Sequence, residues 1–308
     1  MPVRRTTPCY NRPAWEVRSV HPLVEQEIET VRADRTHGAS WLARRALAVV
    51  GRAIALEPDA SAGEVVAIVR ETSRRLIEAR PGMAPVRNWL ERLQADARLL
   101  AAQATGPQAL RAAMRARVRE LVRRAEAAGE LAARGAASRM RPGERVFTAS
   151  FSATVVRACQ LAWQAGKLGG VLAAESRAPD GVAYGNEVRR LLSAAGTPVA
   201  VAGDAELASQ VGLASLVLIG ADSVLRDGSV LNGTPTLALA RAARAASVPV
   251  WVVCEAAKLD HWTDPATLHP ELGFDLVPPE LVDVVITEED GSSVAASRGH
   301  RGRKPRSG

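Results

Sequence analysis

The chain has 308 residues, 47% of them hydrophobic and 24% charged, with a formal net charge of +7. At roughly 150 residues per domain that is room for two domains, and the composition is too apolar for wholesale disorder. No run is long enough and free enough of charge to span a membrane, and the basic residues among the first twenty, Arg4, Arg5, Arg12 and Arg18, flank no apolar core, so no secretory signal is expected.

Arg298, Arg301, Arg303, Lys304 and Arg306 carry most of the excess positive charge. The body of the chain is therefore near neutral, and its basicity belongs to a tail. Cys9, Cys159 and Cys254 are far apart, and no CxxC occurs. That spacing argues against a disulfide framework or a thiolate zinc site and for a reducing, cytoplasmic setting.

The first 140 residues read as helices. A helix over 34–56 stops before Pro58. One over 61–79 opens with the capping box Ser61-Ala62-Gly63-Glu64 and closes at Pro81. A third covers 85–103. The fourth, over 108–128, sets Leu110, Met114, Val118, Leu121 and Ala125 on one face. Its opposite face is rich in arginine, but the interleaved Glu120 and Glu126 mark it as solvated rather than as a nucleic-acid groove.

From Glu144 the period changes. Short apolar runs at 145–149, 170–174, 198–202, 216–219, 249–254 and 282–286 read as strands. They alternate with helices at 152–165, 184–195, from 205, and at 234–246, the signature of a parallel sheet covered on both faces. The expected fold class is α/β: an N-terminal helical domain followed by a doubly wound, Rossmann-like parallel sheet domain. The expected division is an N-terminal extension over 1–20, a helical domain over 21–140, a ligand-binding domain over 141–296 and a basic disordered tail over 297–308.

In such sheets ligands bind beyond the carboxyl ends of the strands. After the first strand, Ser152, Ala153 and Thr154 either seat a phosphate on the N–H groups of the following helix or merely cap it. After the second, Arg177 either forks onto a phosphate or lies on the surface. After the third, Asp204 reads as the cap of the helix that follows. Asp222, directly after the fourth strand, is either a general acid or base in the crevice or a structural turn residue; Asp227-Gly228 is turn chemistry. After the fifth, Lys258 can neutralise a phosphate. His261 and His269 have no metal-ligand spacing, no GxGxxG sits at a strand-to-helix turn, and no Walker A motif is present, so neither a metal nor a cofactor is expected.

The ordered strand ends resemble one superfamily: the α, β and δ regulatory subunits of eukaryotic translation initiation factor 2B, ribose-1,5-bisphosphate isomerase and methylthioribose-1-phosphate isomerase. Its most specific part is Gly220-Ala221-Asp222-Ser223 with Asn232 and Thr236, supported by Thr148 to Thr154, Glu175-Ser176-Arg177 and Lys258-Leu259-Asp260. In the helical half, Gly38-Ala39-Ser40 and Arg80-Pro81 stand where the family has turns that help to bind substrate.

The resemblance implies a phosphorylated sugar or nucleotide bound between the two domains, with Gly38, Ala39, Arg80, Ser152, Ala153, Thr154, Arg177, Asn232, Gly233 and Lys258 as binding positions. It also implies a homodimer or higher homo-oligomer, and no membrane; the basic tail is where a weak nucleic-acid contact would fall. The family's isomerases move protons between C1 and C2 with a Cys and the Asp matched by Asp222. Here Ser150 replaces the Cys and Ala149 the neighbouring His. A serine hydroxyl is a far weaker acid than a thiol and needs an adjacent base, which Ala149 cannot be. Gly233 replaces a phosphate-binding Lys, a loss on the order of 1.5–3 kcal/mol. The expectation is a binding protein without isomerase turnover; the competing reading is a divergent aldose-ketose isomerase working through Asp222 and Ser150.

Overall fold

The computed structural model describes residues 20–179, 181–266, 268, 270–289 and 293–294. The expected tail and all but the last residue of the expected N-terminal extension lie outside them, as do Cys9 and His269.

Five helices come first: α1 (Pro22–Ala33), α2 (Ala39–Ala55), α3 (Ala62–Ala79), α4 (Ala84–Gln103) and α5 (Pro107–Arg139). The sequence reading begins its helices at residue 34 and so misses α1. Pro22 sits in its first turn, where a missing N–H costs nothing, and Val24, Ile28 and Val31 bury one narrow stripe. Asp34 belongs to a turn rather than to α2. Its Oδ1 accepts the N–H groups of Thr36 at 2.8 Å and His37 at 2.9 Å, and α2 starts only after Gly38. The capping box of α3 is formed, with Ser61 Oγ accepting from the Glu64 N–H at 3.3 Å and Glu64 Oε2 from the Ser61 N–H at 2.8 Å.

The fourth expected helix ends at 128, but α5 continues to Arg139. Gly129 and Gly135 signal an end, yet Ala132, Ala133, Ala136 and Ala137 are buried on either side of them. A glycine costs roughly 1 kcal/mol in a helix interior. At Gly129 it permits close approach, since a Cβ there would stand 3.0 Å from Glu255 Oε1, whereas a methyl at Gly135 would make an ordinary 3.5 Å contact with Ile286 Cγ2. The helices share a core of small aliphatic side chains, with Leu42, Leu47, Ile54, Leu76, Leu90, Leu93 and Leu121 fully buried.

The remainder runs β1 (Glu144–Thr148), α6 (Ala153–Gln164), β2 (Leu168–Ala174), α7 (Tyr184–Ala194), β3 (Val199–Ala202), α8 (Leu207–Gln210), β4 (Leu216–Ile219), β5 (Ser223–Leu225), β6 (Val230–Gly233), α9 (Thr236–Ala245), β7 (Val250–Val253), β8 (Leu259–Asp260), β9 (Phe274–Val277), β10 (Val284–Ile286) and β11 (Ser293–Val294). The main sheet has the order β11-β10-β7-β4-β1-β2-β3. All its pairings are parallel except β10 with β11. This is a doubly wound sheet, and its strand order reverses between β1 and β4.

A second, four-stranded sheet, β8-β5-β6-β9, is absent from the sequence reading. That reading has the Asp227-Gly228 turn, which is formed: Asp227 Oδ1 accepts the Ser229 N–H at 2.9 Å and Gly228 has φ +88°. The flanking strands are too short to show a period. Their role is a bracket between the two halves, because Ser223 Oγ accepts the Ala84 N–H and donates to the Gly82 carbonyl, both at 2.9 Å.

Asp204 also differs from expectation. It does not cap its own helix; its carboxylate accepts the N–H groups of Ser176 at 2.7 Å and Arg177 at 2.9 Å, across from β3 to the end of β2. The turn after β3 is closed instead by Glu206, which accepts the Gly203 N–H at 3.0 Å.

At the start of α7, Gly185 lies on the end of β2 so closely that a Cβ would overlap the Ala174 carbonyl oxygen. Gly185→Ala is expected to lower unfolding stability by about 1–3 kcal/mol through this overpacking, as read from the urea midpoint; an unchanged midpoint would show that α7 can lift without cost.

Candidate functional site

Reversal of the strand order sends the connections after β1 and β4 in opposite directions and leaves a crevice at their carboxyl ends. Two cavities occupy it, one of about 350 Å³ and one of about 430 Å³. They meet at Asp222, His37, Gly38 and Phe151. The helical half closes the crevice through the turn between α1 and α2.

Asp222 stands on the junction, with its own N–H donated to the Leu231 carbonyl of β6 at 2.8 Å. Burial pushes its carboxyl above the ordinary carboxylate range, against the opposing pull of the Lys258 ammonium, the Ala39 N–H and Arg80. A carboxyl held in this way is suited to exchanging a proton with a bound ligand.

The first cavity is lined by Arg35, Arg80, Ser150, Gly233, Tyr184 and Glu271. Arg80 is anchored, with Nε donating to the Val31 carbonyl at 3.0 Å and Nη2 to that of Asp34. Burial and the neighbouring Arg35 pull it below its ordinary value. Ser150 takes a left-handed backbone conformation, φ +62°, and its N–H donates to the Ser176 hydroxyl at 2.8 Å. Ser176 is itself left-handed, φ +51°, so two successive strand ends hold strained serines against each other. The Ser150 hydroxyl occupies the space in which a Cβ at Gly233 would lie. The two departures from the family pattern are therefore in contact, and a lysine at 233 would require the Ser150 side chain to move.

The second cavity is lined by Ala39, Ser152, Ala153, Thr154, Asn232, Glu255 and Lys258. Ser152 caps α6, its Oγ accepting the Val155 N–H at 3.3 Å. α6 thus begins at the cavity wall, with the unpaired N–H groups that a helix leaves in its first turn. Gly220 admits this approach, since a Cβ there would overlap Ser152. Asn232 is buried, with Nδ2 donating to Thr236 Oγ1 at 3.0 Å. The Lys258 ammonium lies 3.3 Å from Glu255 Oε2. Burial opposes its charge, but Glu255 and Asp222 together hold it above its ordinary value. Arg157 lines the same cavity and is paired with Glu130 at 2.7 Å.

Of the expected positions, Gly38, Ala39, Arg80, Ser150, Ser152, Ala153, Thr154, Asp222, Asn232, Gly233 and Lys258 come together around the two cavities. Arg177 does not. It is exposed, pairs with Glu175 and donates to the Gly181 carbonyl at 3.2 Å. The sequence reading missed His37 and Trp41, whose rings stack at a centroid distance of 3.7 Å on the edge of the second cavity, with His37 Nδ1 2.7 Å from Asp34 Oδ2. It also passed over Glu255. His37 directly precedes the Gly38-Ala39 turn, and Glu255 follows β7 as Asp222 follows β4, so adjacency was the available signal.

These features define a class: a doubly wound protein with a charged crevice at the switch point, closed by a helical layer. The sequence model of the initiation factor 2 subunit family matches residues 35–271, and the chain belongs to that family. It is 32% identical to an eIF-2B subunit 2-like protein of Pyrococcus abyssi, over 85% of this chain and 93% of that one. It is 28% identical to the ribose 1,5-bisphosphate isomerase of Haloferax volcanii, over 87% and 88% of the two chains. Among solved structures, the Pyrococcus horikoshii translation initiation factor eIF-2B superimposes with a TM-score of 0.74 at 24% identity, covering 87% of this chain and 96% of that one. A chain of the tetrameric eIF2B-beta2-delta2 complex of Chaetomium thermophilum gives 0.73 at 24% identity, covering 88% and 90%. Among the described residues no helix is long and apolar enough to cross a membrane.

Cys159 and Cys254 do not stand in for the missing thiol, because both are fully buried and burial pushes each up to about 12. In a Cys9→Ser background, Ellman's reagent at pH 8 is expected to label neither thiol until denaturant is added; rapid labelling of the folded protein would return a cysteine to the chemistry.

Asp222 also yields a pH prediction. Its raised value means that the folded chain holds this proton more tightly than the unfolded chain, so its contribution is full in acid and is lost as pH rises through the folded value. Asp222→Asn, neutral throughout, is expected to melt at a higher temperature than the parent near pH 8, with the gap closing toward pH 4. Parallel melting curves across that range would place the carboxylate in water.

Proposed function

We propose that the protein binds a sugar phosphate or nucleoside monophosphate in the paired cavities and does not turn it over as an isomerase. The observation that carries this reading is Ser150. Its hydroxyl faces Gly233, its N–H is held by Ser176, and among the described residues no basic side chain is hydrogen-bonded to the hydroxyl. Without such a base the serine is a poor proton acceptor.

The binding role draws support from the cationic groups on both sides of Asp222: Arg35 and Arg80 in one cavity, Lys258 and the first turn of α6 in the other. Arginine and a helix N-terminus are both fitted to phosphate oxygens. Ribose 1,5-bisphosphate is the substrate named for one of the relatives, and a phosphate at each end suits a site with cations at each end. Assembly with further copies of the chain, and a read-out of ligand occupancy through that assembly, complete the proposal.

The test is a proton and phosphorus NMR time course with α-ribose-1,5-bisphosphate, with and without AMP, on the parent and on Asp222→Asn. Ligand line-broadening without new signals in the parent, lost in Asp222→Asn, is the expected result. Ketose signals that appear with the parent and vanish with Asp222→Asn would overturn the non-catalytic reading and make the protein an isomerase that works without the thiol.

A further inference from the structure

Glu255 lies where four parts of the fold converge. It follows β7 and is 5% exposed, and Lys258 three residues later is 4% exposed. The Thr154 hydroxyl of α6 donates to Glu255 Oε1 at 3.3 Å, and Ser40 of α2 lines the same cavity and helps to hold this carboxyl below its ordinary value. From α5, Gly129 comes so close that a Cβ would stand 3.0 Å from Oε1. The lysine ammonium completes the set, 3.3 Å from Oε2.

We propose that Glu255 is the positioning residue of the ligand site: it anchors the Lys258 ammonium at the wall of the second cavity, tied to α6 through Thr154 and packed under α5 at Gly129 and beside α2 at Ser40. This rests on the reading of the cavities as a phosphate-ligand site. A buried ammonium needs a counter-charge or it sheds its proton. Asp222 and Glu255 both favour the charged form, and Glu255, the stronger of the two, is the one in ion-pair contact with the ammonium. An ammonium has three donors, so one spent on Glu255 leaves the others for an incoming anion. Glu255 is bonded from the sheet half through Thr154 and packed from the helical half at Gly129, so the lysine stands where the two halves meet.

The experiment is calorimetric titration of ribose-1,5-bisphosphate into the parent, Glu255→Gln, Lys258→Met, the double variant and Ser40→Ala, with the Lys258 15Nζ signal followed against pH in the ligand-free parent and Glu255→Gln. Glu255→Gln and Lys258→Met are each expected to weaken binding about tenfold or more. The double variant should be no weaker than Lys258→Met, since Glu255 acts through the lysine. Ser40→Ala, a small change that threatens folding least, should weaken binding by a smaller factor. The Nζ signal should titrate at lower pH in Glu255→Gln. Parent-like affinity in Glu255→Gln, or additive losses in the double variant, would overturn the positioning role while leaving the site intact. A parent that binds no ribose-1,5-bisphosphate overturns the reading of the site instead, and an unmoved Nζ titration then overturns the inference independently of any ligand.

Discussion

Reversal of strand order between β1 and β4 is the constraint on which the rest of this molecule depends. Two parallel strands whose connections depart to opposite faces cannot have both carboxyl ends covered by their own helices. The gap must be filled by solvent, ligand or another part of the chain. Here the helical layer reaches over it through the α1–α2 turn, and the β5–β6 hairpin fastens the two halves at Ser223. The catalytically suggestive residue, Asp222, and the strained Ser150 stand on the two strands that flank the reversal. Their meeting is a property of the topology.

Charge is the second determinant. The crevice buries Glu255 and Lys258 almost completely and Asp222 in part, and burial of each charge is unfavourable by itself. The lysine makes the arrangement tolerable by pairing with Glu255 and favouring the ionised form of Asp222. The two carboxylates are treated differently. Glu255 receives the ammonium and the Thr154 hydroxyl and is held below its ordinary value, whereas burial pushes Asp222 above its own. Environments that drive similar groups apart are how folds separate a structural carboxylate from one able to exchange a proton.

The substitutions that depart from the family pattern acquire a joint meaning from the structure. Ser150 and Gly233 touch, so that the small side chain at one position fills the volume left vacant at the other. The two positions at which the resemblance leads one to expect a thiol and a lysine are thus direct neighbours in the first cavity. The second cavity keeps its lysine, its helix terminus and its asparagine. Cationic groups stand on both sides of Asp222, Arg35 and Arg80 in the first cavity and Lys258 in the second.

The helices with an apolar stripe, the capping box of α3, the alternation of strands and helices and the residues at the strand ends were legible in the sequence, because each is set by neighbours within a few positions. Periodicity failed where elements were shortest, as at β5 and β6, or where glycines and alanines follow a packing demand, as in the second half of α5. It failed at Asp204 because a carboxylate caps whichever N–H groups come within reach, and those belong to the end of β2. The sequence by itself determined the alternating architecture, the family and most of the residues that line the crevice. Only the tertiary structure decided that Arg177 stays out of the cavity, that Ser150 fills the space beside Gly233, and that Glu255 takes the Thr154 hydroxyl and the Lys258 ammonium under Gly129 of α5, because what lines a cavity depends on segments far apart in the chain, which local pattern does not encode.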